Sequence, residues 1–409
     1  MGPADLSRLS ADQQTSSPLD LFLIFVGANI VATTLQVGAS LPSTYSWTTA
    51  LLVIGVGSVA GALLTAVLAP IGSRLRVPSI IATRAALGYS GAQALAALLF
   101  VTNFAWIALN NVIAASITTR VTGTGSTAVW AVGLGLVATL IVLGGPRLAA
   151  IVDRVAVPLL LLSGTVFTLA CLRTPWPAWP ATSAPAADAA AGLDMVVGYQ
   201  ASWLLMFADY PRFVRNPRRA GLAVLAGLAL TSLWFMPLGF FAAGVAGSSD
   251  PGAMITALNL GVWGALLVAV AALTTNFVNV YMSALALRSL RPSVGGATGV
   301  WFIGGVGAIL GVFSMDWLER YAEFTLFLGS ALVPIGGILL AHFFVLRAPV
   351  DVSGLYVVSR LRDGWSIPGV LAWLAGAVVF HVAGSVGGTV PSLITAMLVY
   401  LGAHRAIRQ

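Results

Sequence analysis

Twelve apolar stretches, each long enough to cross a bilayer, run from Leu19 to Ala403 and leave little chain for anything else. A helix needs about 20 apolar residues to cross a hydrocarbon core of roughly 30 Å. The stretches lie near 19–42, 47–70, 91–119, 127–144, 148–171, 193–210, 220–247, 258–287, 297–314, 322–346, 366–384 and 388–403. With 58% hydrophobic and 8% charged residues, a water-soluble fold would lack the polar surface to cover itself. Only helices or closed barrels satisfy their backbone in lipid. The expectation is an all-α polytopic membrane protein with twelve transmembrane helices.

Orientation follows from the basic residues, all 20 of which are arginine. With a cytoplasmic N-terminus, the inner connections carry Arg74, Arg76, Arg84, Arg147, Arg154, Arg212, Arg215, Arg218, Arg219, Arg288, Arg291, Arg347, Arg360 and Arg362. Arg8, Arg405 and Arg408 in the tails join them, and Arg120, Arg173 and Arg320 fall outside, a split of seventeen to three. Positive residues in short loops stay in the cytoplasm, so both termini are expected there, with the protein in the inner (plasma) membrane. The net charge of +7 is thus a topology signal spread over loops, not a nucleic-acid patch. No short apolar core with a small-residue cleavage site follows the polar start, so no secretory signal peptide is expected. The single Cys171 excludes an internal disulfide. No Walker loop is present, so an ion or solute gradient must supply energy, unless the pathway is passive.

The outer connection 172–192 contains Pro175, Pro177, Pro180 and Pro185 with Trp176 and Trp179, and reads as a linker. It divides the first ten spans into two blocks of five, 19–171 and 193–346. A cytoplasmic tail (1–18) precedes them; a loop with the last two spans (347–403) and an inner tail (404–409) follow. Two blocks of odd helix number lie inverted in the membrane, a build in which binding sites form where the first helix of each repeat is broken. Two blocks of six fit the same count. The first helix of each block is unusually polar: Gly27-Ala-Asn29-Ile-Val-Ala-Thr33-Thr34-Leu-Gln36-Val-Gly38, and Gly198-Tyr199-Gln200-Ala-Ser202-Trp203. Amides and hydroxyls at that depth line a cavity or bond across helices.

Four stretches make the pattern specific. They are Gly72-Ser-Arg-Leu-Arg-Val-Pro78 through Arg84-Ala-Ala-Leu-Gly88 and Gly91, then Trp106-Ile-Ala-Leu-Asn110, then Ser202-Trp203-Leu-Leu-Met-Phe-Ala-Asp209-Tyr-Pro-Arg-Phe213 with Arg215. The fourth is Leu326-Phe-Leu-Gly329 through Pro334-Ile-Gly-Gly-Ile-Leu-Leu-Ala-His342-Phe-Phe-Val-Leu-Arg347. In order and spacing they resemble the nucleobase:cation symporter-1 family, which includes cytosine, purine, hydantoin and hydroxymethylpyrimidine transporters. The resemblance implies a five-plus-five inverted repeat, similar to the leucine transporter, followed by two C-terminal helices. The form of span six is most similar to the cytosine and hydroxymethylpyrimidine branch.

The resemblance also implies a flat heterocycle held between two tryptophans, and Trp106 and Trp203 match those positions. Stacking a base on an aromatic face is worth roughly 1–3 kcal/mol. Asn110, four residues past Trp106, shares its helix face and offers a donor and an acceptor to an amide-like ring edge. Gln36, Asn29 and Ser202 are further candidates. Span eight, Ala271-Ala-Leu-Thr274-Thr275-Asn276-Phe-Val-Asn279, departs from the hydantoin-type spacing and leaves both Asn276 and Asn279 as candidates. Interhelical packing is the alternative for each amide.

The same threonine pair resembles the family's sodium site: hydroxyls of Thr274 and Thr275 with carbonyls of Ala271, Ala28 and Val31. Oxygen ligands without formal charge suit a hard monovalent cation. A threonine in a membrane helix otherwise bonds its own backbone. The proton is the rival ion, with Asp209 at the inner end of span six as its carrier. The expectation is a symporter for a planar nitrogen heterocycle, with no organic cofactor and no nucleic-acid partner. The rivals are a same-fold transporter of another solute, such as an amino acid, and a passive channel. The three histidines, at 342, 381 and 404, form no intramembrane cluster with carboxylates, which argues against an enzyme.

Overall fold

The computed structural model describes residues 6–180, 185–291, 293–294, 296–313, 319–357, 364–384 and 386–408. Arg360 and Arg362, two of the expected inner arginines, lie outside the described residues.

The first apolar stretch is a broken helix. Helix α1 (Pro18–Asn29) opens on a capping box, in which the Ser17 amide donates to Asp20 Oδ2 at 2.8 Å and the Asp20 amide to Ser17 Oγ at 3.1 Å. The ladder stops at Ile30 and Val31, β-branched residues that lose side-chain freedom in a helix. Val31 is extended (φ −138°, ψ 161°), and α2 (Ala32–Ala39) resumes at a bend of 58°. A helix end leaves its last carbonyls without amide partners, and Thr34 Oγ1 takes one of them, donating to the Asn29 carbonyl at 2.7 Å.

Span six breaks at a corresponding place. Helix α7 (Ala186–Ala201) gives way to 3-10 turns at Ser202–Met206 and Pro211–Phe213. The linker is shorter than its composition suggests, because residues 186–192 are already helical. Alanine is the strongest helix former, and the alanine-rich run after Pro185 extends α7 outward instead of adding to the loop.

The remaining helices are α3 (Trp47–Leu75), α4 (Ser79–Thr122), α5 (Thr127–Leu143), α6 (Gly145–Arg173), α8 (Pro217–Ala246), α9 (Pro251–Ala257), α10 (Gly261–Leu290), α11 (Gly296–Phe313), α12 (Tyr321–Leu340), α13 (Ile367–Val382) and α14 (Thr389–Arg408). Helices occupy every predicted apolar stretch. Among the described residues, eight are long and apolar enough to cross alone, the bent α1–α2 pair makes a ninth, and α5 and α13 are shorter apolar helices. Helix α4 is kinked at Gly88 (φ 73°, ψ 177°), a conformation open to glycine. The backbone groups beside the kink go to the loop before α13: the Ser366 amide donates to the Leu87 carbonyl at 3.0 Å, and the Ser90 amide to the Gly364 carbonyl at 3.1 Å.

Helices α1, α2, α3, α7 and α8 pack on one another as a bundle, while α4, α5, α10 and α11 form a second body beside it. Helices α12, α13 and α14 group together, with α12 against α7. Between lipid-facing helices the hydrophobic effect gives no net attraction, so close packing of small residues carries association. The α2–α8 crossing shows this reciprocally: a Cβ at Gly38 would strike the Met236 carbonyl, and one at Gly239 the Leu35 carbonyl.

One end of the bundle is tied by the N-terminal segment. Gln14 Nε2 donates to the carbonyls of Ser73 (2.9 Å) and Arg212 (3.0 Å), the Leu9 amide to the Arg76 carbonyl (2.9 Å), and Tyr356 Oη to the Leu6 carbonyl (2.8 Å). This strap gathers the arginine-bearing connections on the same end as the N-terminus.

Candidate transport site

The two tryptophans lie beside the two helix breaks. Trp106, on α4, is buried and meets three rings edge-on: Tyr199 of α7 (centroids 5.7 Å, 82°), Tyr321 of α12 (6.3 Å, 71°) and Phe324 of α12 (5.0 Å, 71°). Trp203, in the 3-10 turn after α7, is half-buried and sits edge-on to Phe25 of α1 (5.7 Å, 68°). It also packs on the Met206–Met282 pair beside Tyr210, Val278 and Tyr281. The indoles belong to different packing clusters, and among the described residues no ring contact joins them. Among the described residues no aromatic ring is stacked face to face on either indole.

The candidate amides divide by whether the protein already satisfies them. Asn110 is fully buried; its Nδ2 donates to the Trp106 carbonyl one turn back at 2.9 Å, which fixes the amide nitrogen and leaves Oδ1 without a protein partner. Among the described residues, Asn279 Nδ2 and Trp203 Nε1 are likewise buried without a partner. At 3.6 residues per turn, Asn279 falls between the Val278–Met282 face turned toward Trp203 and the Asn276 face turned toward α4. Asn276 donates to Asn111 Oδ1 at 2.7 Å and so crosslinks α10 to α4, with its own Oδ1 left over. Ser202 Oγ donates back to the Tyr199 carbonyl at 2.7 Å.

Asn29 and Gln36 are placed differently. Asn29 Nδ2 donates to Thr231 Oγ1 and Ser232 Oγ, both at 2.8 Å, and to the Leu228 carbonyl at 3.2 Å, while its Oδ1 accepts Tyr199 Oη at 3.2 Å. Its amide is spent on tying the break in span one to α8 and α7. Gln36 lies near the far end of α2, where Nε2 donates to the Ser249 carbonyl at 3.1 Å and to Ser40 Oγ at 3.3 Å, and Oε1 has no partner among the described residues. Tyr199 itself was not singled out by residue type, although it stands in the polar run that marks the second break. Asp209 Oδ2 accepts the Ser79 amide at 3.3 Å and so caps the start of α4.

Of the candidate cation ligands, Val31 and Ala271 fall in one packed cluster beside the first break. Helices α2 and α10 are in contact. Thr275 Oγ1 donates to the Ala271 carbonyl at 2.8 Å, and Thr274 Oγ1 to Ala271 at 3.0 Å and Val270 at 3.1 Å. A hydroxyl that donates to its own helix keeps two lone pairs for a cation. The Ala271 carbonyl, by contrast, is occupied by both hydroxyls. The Val31 carbonyl accepts the amides of Thr34 (3.1 Å) and Leu35 (3.4 Å), whereas Ala28 is among the last carbonyls of α1, beyond which the ladder breaks.

Over residues 9–402 the sequence matches a family described as permease for cytosine/purines, uracil, thiamine, allantoin. The chain belongs to this nucleobase:cation symporter-1 family. It is therefore a multi-pass membrane transporter of a nucleobase-permease family, not an enzyme. The cytosine permease of Escherichia coli (strain K12) is 25% identical over 399 residues, covering 89% of this chain and 90% of the relative. Mhp1, a nucleobase-cation-symport-1 family transporter, matches in a closed conformation with bromovinylhydantoin bound at a TM-score of 0.82 and 18% identity, over 100% of this chain and 96% of Mhp1. Inward-facing Mhp1 matches at 0.83 and 17% identity, over 98% and 94% of the two chains. A Na+-coupled sialic acid symporter matches at 0.58 and 12% identity, over 98% of each chain. The fold of this symporter-family chain is thus the leucine-transporter-like five-plus-five inverted repeat, with α13 and α14 appended.

Proposed function

We propose that this transporter imports a small planar nitrogen heterocycle, such as cytosine or hydroxymethylpyrimidine, together with sodium, by alternating access across the inner membrane with both termini in the cytoplasm. The observation that carries the reading is that buried polar atoms of the candidate residues, Asn110 Oδ1, Asn279 Nδ2 and Trp203 Nε1, have no partner among the described residues. A buried polar group without a partner costs about 1–3 kcal/mol. A ligand that brings an N–H or amine to Asn110 and a carbonyl or ring nitrogen to Asn279 removes that cost. The Trp106 and Trp203 faces supply the complementary apolar attraction, which selects a flat ring over an amino acid. The cytosine permease relatives and the hydantoin bound to Mhp1 support the same ligand class.

Sodium would take lone pairs of Thr274 and Thr275 with carbonyls at the α1–α2 break, joining the bundle to α10. Occupancy then favours the conformation in which bundle and α10 are close, and raises substrate affinity by linkage. Asp209, engaged at the start of α4, is the weaker carrier of a coupling proton. The test is uptake of a panel of labelled bases, with and without sodium and across pH. Saturable, sodium-stimulated uptake of a pyrimidine base is expected. Sodium-independent uptake whose pH dependence disappears in Asp209→Asn would move the coupling to the proton; uptake of amino acids but no base would overturn the substrate class.

A further inference from the structure

We infer that Tyr199 and Tyr321 are positioning residues through which base occupancy beside Trp106 and cation occupancy at the α1–α2 break sense each other. The inference rests on the proposed base and sodium sites and adds the path between them. Both phenols are almost fully buried, and both rings lie edge-on to Trp106, at 5.7 Å and 6.3 Å. Both hydroxyls leave the aromatic cluster for the broken first span. Tyr199 Oη lies 2.6 Å from Thr34 Oγ1, and Thr34 Oγ1 donates to the Asn29 carbonyl at 2.7 Å. With the one Thr34 hydrogen on that carbonyl, the single phenol hydrogen of Tyr199 is shared between Thr34 Oγ1, the shorter contact, and Asn29 Oδ1 at 3.2 Å. A directed chain results, Tyr199 O–H to Thr34 O–H to the Asn29 carbonyl, whose members polarise one another. Tyr321 Oη donates to the Thr33 carbonyl at 2.9 Å, on the first turn of α2.

The endpoints matter more than the bonds. Asn29 is the last residue before the interruption at Ile30 and Val31 and Thr33 the second after it, and the proposed cation carbonyls, Ala28 and Val31, lie within two residues of Asn29 on that same segment. A ring that settles on Trp106 fixes the tilt of the indole, the indole fixes the two phenols, and the phenols fix the backbone that would face sodium. The bundle (Tyr199, Thr34, Asn29), the second body (Trp106) and α12 (Tyr321) each contribute one part, so a change in their separation is felt at both sites. Packing alone would fill these positions equally well with phenylalanine; the hydroxyls serve the break.

The test measures the coupling factor, the ratio of substrate dissociation constants without and with saturating sodium, in wild type, Tyr199→Phe, Tyr321→Phe and the double variant. Each phenylalanine keeps its ring against Trp106 and removes one link. One interhelical hydrogen bond in a membrane protein corresponds to about 3- to 18-fold in an equilibrium constant. The coupling factor should fall by an amount in that range in each single variant, because substrate affinity at saturating sodium drops toward a sodium-free value that itself changes little. By reciprocity, the effect of substrate on sodium affinity must fall by the same factor. A merely structural role would shift both dissociation constants alike and leave the ratio at its wild-type value, which would overturn the inference. If Tyr199→Phe does not accumulate, Thr34→Val interrupts the same chain from its other end and must give the same fall. A wild type without any sodium effect would remove the sodium reading and this inference with it; a sodium-coupled wild type whose variants couple equally well would remove this inference alone.

Discussion

Replacing Asn29 with alanine separates a structural amide from a ligand-binding one at the same position in the membrane. The Asn29 side chain makes short bonds to Thr231 and Ser232, at 2.8 Å each, and a longer one to the Leu228 carbonyl at 3.2 Å. Truncation removes these but strands none of the partners. Thr231 Oγ1 still donates to the Gly227 carbonyl at 2.6 Å, Ser232 Oγ still accepts Gln200 Nε2 at 2.9 Å, and Tyr199 Oη still has Thr34 at 2.6 Å. With no buried group left wholly unpaired, the cost sits near the average for interhelical bonds in membrane proteins, about 0.6 kcal/mol each, and not near the desolvation penalty. The expected loss is therefore about 1–2 kcal/mol of stability. It should be read as a lower unfolding midpoint in mixed micelles, with substrate affinity within about threefold of wild type, under 1 kcal/mol. An unchanged midpoint with affinity reduced more than about tenfold would mean that Asn29 meets the ligand, and would refute the assignment of its amide to α8.

Three further outcomes are expected. Trp106→Ala and Trp203→Ala should each weaken base binding by roughly 1–3 kcal/mol, about 5- to 150-fold, while phenylalanine keeps part of the affinity; unchanged binding in both alanine variants, measured by scintillation proximity, would remove the aromatic slot. Gly239→Ala places a methyl against the Leu35 carbonyl and should cost about 1–3 kcal/mol through forced separation of α2 and α8, whereas a wild-type thermal midpoint would mean that the crossing is loose. Single cysteines at the exposed positions Ser249 and Arg218 should react with an impermeant thiol reagent from outside and inside the cell respectively, and reversed labelling would invert the topology.

Hydropathy made the helices legible because in lipid every backbone group must be satisfied within its own segment, so each span carries its full apolar length in the sequence. The breaks were legible for the complementary reason: Asn29, Thr33 and Thr34 in one repeat and Tyr199, Gln200 and Ser202 in the other are residues that lipid does not tolerate. Contacts set by distant partners were not legible. The early start of α7 inside a proline-rich linker shows only once Pro185 is seen to precede an alanine run that continues the helix. The Gly88 kink could be suspected from its glycine, but its use of the 364–366 loop as hydrogen-bond partner could not. Neither could the strap made by Gln14, whose one amide reaches carbonyls on α3 and on span six.

The site was legible as residue types and not as states of satisfaction. Asn29 and Asn110 are both completely buried and both stood as ligand candidates. What separates them is the neighbour each meets. Asn29 faces the Thr231–Ser232 pair of α8, which absorbs its donors, and Tyr199, which serves its oxygen. Asn110 meets, among the described residues, the Trp106 carbonyl of its own helix alone, so its nitrogen is held and its oxygen has no partner there. The distinction depends on the register of α8 against α1, set partly by Phe25 and Val26 packing on Gly227, and no periodicity in either helix encodes it. The same holds for Thr274 and Thr275: their hydroxyl hydrogens turn inward to the helix as for any membrane threonine, and the proposed cation role depends on the contact between α10 and α2, which no feature of span eight encodes. Asn279 shows the converse. The spacing of span eight left it level with Asn276, and the two differ in the structure: Asn276 Nδ2 is bonded to Asn111, whereas Asn279 Nδ2, on the edge of α10 between Trp203 and α4, has no partner among the described residues.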